Sequence, residues 1–198
     1  MPDTNKSLKK ENNDLKLEIK DSKVDGLTND IDSLECYSYQ YNVKLVGIPQ
    51  LKTMESSLET SKLCVQLFKE MGVAGITLED IDIAHRVPGR KALRDKPIIC
   101  KFSRRIVKDQ VINCRRNINK VNPNTVGLAP DVQLSEARVF DHLTPSLQKL
   151  LFEAKKIQQQ QAYKFCWVKN SKIFLRKHDD SRAVEITKLS DLEDLAAH

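Results

Sequence analysis

The feature that most restricts what this chain can fold into is a change of apolar period, repeated several times between Tyr41 and Pro130. "YNVKLVGIP" at 41–49 alternates and is closed by Gly47 and Pro49, which reads as a strand. "ESSLETSKLCVQLFKEMG" at 55–72 sets Ser61, Cys64, Val65, Phe68 and Met71 on one helical face and ends on Gly72. "DIDIAHRV" at 80–87 alternates again, and "KPIICKFS" at 96–103 is a further strand entered through a proline. From Arg104 to Ile118 the helical period returns, with Val107, Val111, Cys114 and Ile118 in one stripe. "TVGLAP" at 125–130 reads as a last short strand. The expected order is β-α-β-β-α-β.

That order is the split βαβ arrangement of ferredoxin-like and RNA-recognition-motif folds. The chain is therefore expected to be α+β in three parts. These are a coiled-coil helix at 1–42, an RNA-recognition-motif-like domain at 43–135 and a small α-β-β-β-α domain at 136–198. In the first part Val24, Leu27, Ile31 and Leu34 step by three and four, and Leu17 lies one heptad before Val24. Such a seam buries its stripe only against another helix, so these five residues are the expected oligomerisation contacts. A single amphipathic helix folding back on its own chain is the competing reading. In the third part Thr144 and Pro145 open a helix whose stripe is Leu147, Leu150, Leu151, Ala154 and Ile157. "YKFCWVKNSKIFLRK" at 163–177 then reads as two strands joined at Asn170-Ser171. "SRAVEITK" is a third strand, and Ser190 and Glu193 have capping-box spacing for a closing helix.

Charge narrows the partners. The whole chain carries a formal +6, yet residues 85–120 hold 12 Lys/Arg against only Asp95 and Asp109, a net +10. A concentrated positive field suits a polyanion, because counterion release rewards each phosphate neutralised. On the helical wheel Arg104, Arg105, Lys108, Arg115 and Arg116 fall on one flank of the apolar stripe. The loop "PGRKALRDK" adds Arg90, Lys91, Arg94 and Lys96. Arg86 and Lys101 point away from the expected core face, and Lys44 and Ile99 occupy positions where an RNA-recognition motif stacks bases on aromatics. Because neither those two positions nor Lys101 is aromatic, binding is expected to follow charge and shape, with low sequence preference for single-stranded RNA or DNA. His85 is expected to be core-facing or interfacial. Tyr163, Phe165 and Trp167 alternate among lysines and read either as plain core or as a surface that stacks on single strands.

Other functions find little support. Cys36, Cys64, Cys100, Cys114 and Cys166 are odd in number and scattered, without a CxxC pair, as in a reducing compartment. Asp80 and Asp82 lack a third ligand nearby, and no phosphate loop, nucleophile elbow or histidine-helix motif occurs. No enzyme, metal or cofactor is expected. No apolar run approaches a transmembrane length, and the polar N-terminus lacks a signal-peptide core, so an intracellular place in cytoplasm or nucleus is expected.

Four segments carry a resemblance. "YNVKLVGIP", "DIDIAHRVPGR", "KPIICKFSRRIVKDQVI" and "YKFCWVKNSKIFLRKHDDSRAVEI" resemble the baculovirus few-polyhedra protein and its insect relatives. They are also similar to the RNA-binding protein of the first reading frame of LINE-type retrotransposons. The retrotransposon likeness implies a self-associating chaperone of single-stranded nucleic acid. The viral likeness implies a non-enzymatic factor in nucleocapsid envelopment, virion production and occlusion, with viral or host structural proteins as further partners. Carried onto matching positions, the implied nucleic-acid surface is Arg86, Arg90, Lys101, Arg104, Arg105 and Lys108. The alternative is a scaffold or trafficking adaptor whose basic surface docks an acidic protein or a membrane.

Overall fold

The computed structural model describes residues 2–88 and 95–196, and the side chains among them except those of 2–9, 14, 17, 21, 25 and 196. The chain divides into two compact units, 1–37 and 38–198. It is mixed α/β, with one long N-terminal helix and two antiparallel sheets.

Helix α1 spans Pro2–Tyr39, about 57 Å at 1.5 Å per residue. Its sequence is polar around most of the circumference, and Leu15, Ile19, Val24, Leu27, Ile31 and Leu34 are each between 51% and 70% exposed. Leu17, expected in the same seam, lies outside the described side chains.

The four-stranded sheet comprises β1 (Asn42–Val46), β2 (Ile81–Arg86), β3 (Ile98–Phe102) and β4 (Arg138–Asp141), ordered β2-β3-β1-β4 and antiparallel throughout. Two helices, α2 (Ser57–Glu70) and α3 (Arg105–Cys114), complete the unit's first core. Ser56 caps α2 in a capping box with Glu59, which opens the helix at the expected place. The expected buried face follows: Cys64, Leu67, Phe68 and Met71 meet Val43, Leu45, Ile98, Cys100 and Phe102 in a closed core. Phe68 and Phe102 form its centre, with ring centroids 5.6 Å apart.

Three expectations for the first sheet and its helices need correction. The fourth strand is not at 125–130. Asn122 accepts a hydrogen bond from the Asn124 N–H, Pro123 occupies the first helical position and Gly127 closes the turn at φ +78°. Together these make Pro123–Val126 a 3₁₀ turn. The strand role passes to Arg138–Asp141, so the first sheet reaches beyond residue 135. Gly47 permits this pairing: at φ +73°, a Cβ there would lie 2.8 Å from the Glu136 carbonyl oxygen.

Strand β2 carries a register shift between Ile81 and Ile83. One residue of slip exchanges the two faces. Ala84 is therefore in the core, while Ile83 and the expected core-facing His85 are exposed. The third correction concerns the helix expected over 104–118, which tightens after Cys114 into a 3₁₀ segment, Arg115–Lys120, that still buries Ile118.

The second sheet, β5 (Phe165–Lys169), β6 (Lys172–Arg176) and β7 (Val184–Ile186), packs beneath α4 (Pro145–Gln160) and α5 (Leu189–Ala196). Thr144 caps α4 through the Leu147 N–H, with Pro145 in the first turn. Asn170 and Ser171 take φ values of +52° and +58°, as a tight two-residue hairpin turn requires. The start of α5 is closed by Asp191, which accepts from the N–H groups of Thr187 and Lys188, rather than by Ser190. Leu150, Ala154, Ile173, Leu175, Ile186 and Leu192 form the second core.

Candidate nucleic-acid interface

Four of the nine described bases of the window, Arg86, Lys101, Arg104 and Lys108, are held in ion pairs. The β2 slip turns Arg86 toward the helix side, where 6% of its side chain is exposed. It meets the fully buried Glu55 at 2.9 Å and donates to the carbonyls of Ile48, Lys96 (3.0 Å) and Pro49 (2.7 Å). Every donor face of that guanidinium is occupied inside the protein. Lys108 is buried as well, its ammonium against Asp141 of β4 and its side chain 5% exposed. The helical wheel placed Lys108 on an open flank; β4, whose Asp141 lies 33 residues later, covers that flank. Arg86 and Lys108 are thus withdrawn from the expected surface.

Two more cations are exposed but paired. Arg104 joins Asp80, whose carboxyl is held below the usual carboxylate range first by that guanidinium and then by the Thr77 N–H. Lys101 meets Asp82 at 2.8 Å with both side chains about half exposed, so the pair is screened and weak. The two aspartates, two residues apart, therefore take separate cations. Arg105 is exposed and donates to Gln40 at 2.8 Å. Lys96 and Arg116 are exposed, and Arg90, Lys91 and Arg94 lie outside the described residues.

Lys44 and Arg115 converge. The outer face of the four-stranded sheet carries His85, Ile99, Lys44 and Phe140 in one cross-strand row, set by the pairings His85↔Ile99, Lys44↔Ile99 and Lys44↔Phe140. Ile99 is buried, and Phe140 is 52% exposed. Beside this row opens a cleft of about 450 Å³ lined by Lys44, Arg115, Phe140, His142, Lys155 and Trp167, among others. It lies between β4 and β5, each at the edge of its sheet. Lys44, Arg115 and Lys155 have no acidic partner among the described residues, whereas the acid in the cleft, Asp141, is engaged by Lys108. Burial, then Lys44 and His85, push the His142 imidazole down to about 4, and Tyr39 stacks on its ring at 4.6 Å. Burial pushes the Cys166 thiol up, which leaves it a poor nucleophile at neutral pH.

Phe140 was missed from sequence, and Lys155 was read only as one of the bases, with Lys156, Lys164, Lys169, Lys172, Arg176 and Lys177, that accompany Tyr163 and Trp167. The alternation of "ARVFDH" was a usable strand signal for Phe140, but it was hidden by placing the fourth strand at 125–130. Lys155 stands on the polar side of an amphipathic helix and carries no local signal.

The comparisons with known proteins bear on the second sheet and its helices. Residues 144–196 match the family model for Baculovirus FP protein domain 2. The match supports the few-polyhedra family over α4, the three-stranded sheet and α5, and it lends nothing to the retrotransposon likeness. No curated protein matches the chain. Among the described residues no helix is long and apolar enough to cross a membrane.

Proposed function

We propose that this chain is a few-polyhedra-like, non-enzymatic protein that self-associates and binds single-stranded nucleic acid by charge, with low sequence specificity. Its part in a virus would be nucleocapsid envelopment and occlusion, as the likeness to the few-polyhedra protein implies. The element order β-α-β-β-α-β and the strand order of the four-stranded sheet support an RNA-recognition-motif-like, ferredoxin-like reading of the first sheet. The observation that carries nucleic-acid binding is the convergence of Lys44, Arg115 and Lys155, all without acidic partners among the described residues, on one cleft beside the exposed Phe140.

Each phosphate contact on a single strand contributes about 0.7 to the slope of log affinity against log salt. Reversing Arg115, Arg116 and Lys155 to glutamate should flatten that slope by about one to two, measured by filter binding of a single-stranded oligonucleotide. Reversing Lys101 should change it by less, because Asp82 already neutralises it. An unchanged slope in the triple variant refutes charge-driven binding at this cleft.

Self-association rests on the exposed stripe of α1. Full burial of a Leu or Ile side chain contributes about 1.5–3 kcal/mol, which a second copy of the helix supplies and solvent does not. Leu27→Glu with Ile31→Glu should lower the mass measured by light scattering; an unaltered mass rejects the coiled coil. An adaptor function is the second reading, favoured by the position of the cleft between two strand edges, where an added peptide strand finds backbone partners. It predicts retention of an acidic protein without oligonucleotide binding at physiological salt.

A further inference from the structure

The outer face of the three-stranded sheet carries a second arrangement that charge alone does not explain. Along β5, Cys166 and Val168 pack against the second core, so Phe165 and Trp167 stand on the opposite face. Both covering helices, α4 and α5, reach the sheet from the core side through Leu150, Ala154 and Leu192. The aromatic residues are therefore not the plain core that their alternation suggested. Trp167 pairs across the strands with Phe174, the rings 5.5 Å apart and 20° from parallel. Phe165 pairs with Arg176, whose guanidinium carbon lies 4.5 Å from the Phe165 ring and 5.8 Å from the Trp167 ring. Two adjacent rows thus present planar groups, one of two rings and one of a ring with a guanidinium.

Cations surround these planes. Lys164 lies 5.2 Å from the Phe165 ring, and Lys169 and Lys172 pair beside the hairpin turn. Lys164 is matched by Asp179 and Lys172 by Glu185. Lys169 and Arg176 make no ion pair among the described residues, although Arg176 helps to lower the Asp179 carboxyl through space, and the buried Arg176 Nε has no hydrogen-bond acceptor. A half-exposed set of stacked planes in a positive field complements a chain that offers flat bases and phosphates together.

We infer that this face is a base-stacking platform for single-stranded nucleic acid, built by Trp167, Phe174, Phe165 and Arg176. The inference rests on the nucleic-acid reading above and adds where the bases go: phosphates follow the cations of the cleft, and bases stack on the neighbouring hairpin. Trp167 belongs to both, since it also lines the cleft.

Trp167 is the sole tryptophan of the chain, so its emission reports on this face and on the part of the cleft it lines. The full-length protein is titrated with a fluorescently labelled oligothymidylate and with an abasic strand of equal length and charge, following strand anisotropy and tryptophan emission together. Stacking predicts quenching of Trp167 by the thymidylate only, and binding about tenfold tighter than the abasic strand, as one well-stacked base provides. Equal binding of both strands with unchanged emission overturns the platform and leaves charge-driven binding standing. Binding of neither strand defeats the nucleic-acid reading itself, and the platform with it. A change in emission with anionic phosphatidylserine vesicles, but not with either strand, assigns the face to lipid and also overturns the proposal. No substitution is needed for the main readout. Phe174→Leu, which leaves Ile173 and Leu175 in the core, should narrow the difference between the two strands.

Discussion

The two sheets of this protein hold their strand arginines, Arg86 and Arg176, in different ways. Around the four-stranded sheet, charge is tied into the framework: Arg86 to Glu55, Lys108 to Asp141, Arg104 to Asp80 and Lys101 to Asp82. At the three-stranded sheet, Lys164 and Lys172 are matched by Asp179 and Glu185, but Arg176 lies over the Phe165 and Trp167 rings and in no ion pair among the described residues. The positive charge counted in the middle third is therefore larger than the positive charge left available there. A count along a sequence registers lysines and arginines; a partner meets only those that carboxylates have left unmatched.

The contrast is sharpest at two arginines. Arg86→Ala leaves the fully buried Glu55 without its cation and several carbonyls without a donor, a change of about 3–5 kcal/mol in stability. Urea denaturation should register that loss directly; a shift below about 1 kcal/mol would show Arg86 to be no more structural than its exposed neighbours. Next in size is Gly47→Ala, which combines an unfavourable positive φ with contact against the Glu136 carbonyl. It should lower stability by about 1–3 kcal/mol and weaken the β1–β4 edge first, seen as faster amide exchange over Arg138–Asp141. Arg176→Ala, by contrast, removes only contacts to half-exposed rings and should lower stability by about 1 kcal/mol. If Arg176→Ala proves as damaging as Arg86→Ala, the distinction between framework and available cations fails.

A separate effect is expected in the pH dependence. The His142 imidazole sits at about 4 in the folded protein against an ordinary 6.5, so the unfolded chain binds more protons between those values. Its contribution is complete above about pH 6.5 and is lost as pH falls toward about 4. His142→Phe, which keeps a ring against Tyr39, should flatten the urea midpoint across that window; an equally steep profile would assign the dependence to other groups.

Local signals were legible where the residues that decide an element lie close together. Thr144-Pro145 and the Asn170-Ser171 turn each act over a few residues, and the elements they open or close are found where their patterns placed them, whereas the Ser190–Glu193 spacing gave way to Asp191. The fourth strand was misplaced although Asn122, Pro123 and Gly127 form a recognisable turn signature, because short apolar runs read equally as strand or turn. The β2 slip had no sequence mark at all. It moved Arg86 inward and His85 outward by shifting the register one residue.

The sequence by itself determined the element order, the long polar helix with its exposed apolar stripe, the two apolar cores and the excess of positive charge in the middle third. Each depends on periodicity or composition, which neighbouring residues carry between them. The tertiary structure alone decided which cations are spent, where the cleft opens and which way Trp167 faces. Those outcomes depend on strands and carboxylates brought together from distant parts of the chain, and on which side of a sheet the helices come to cover.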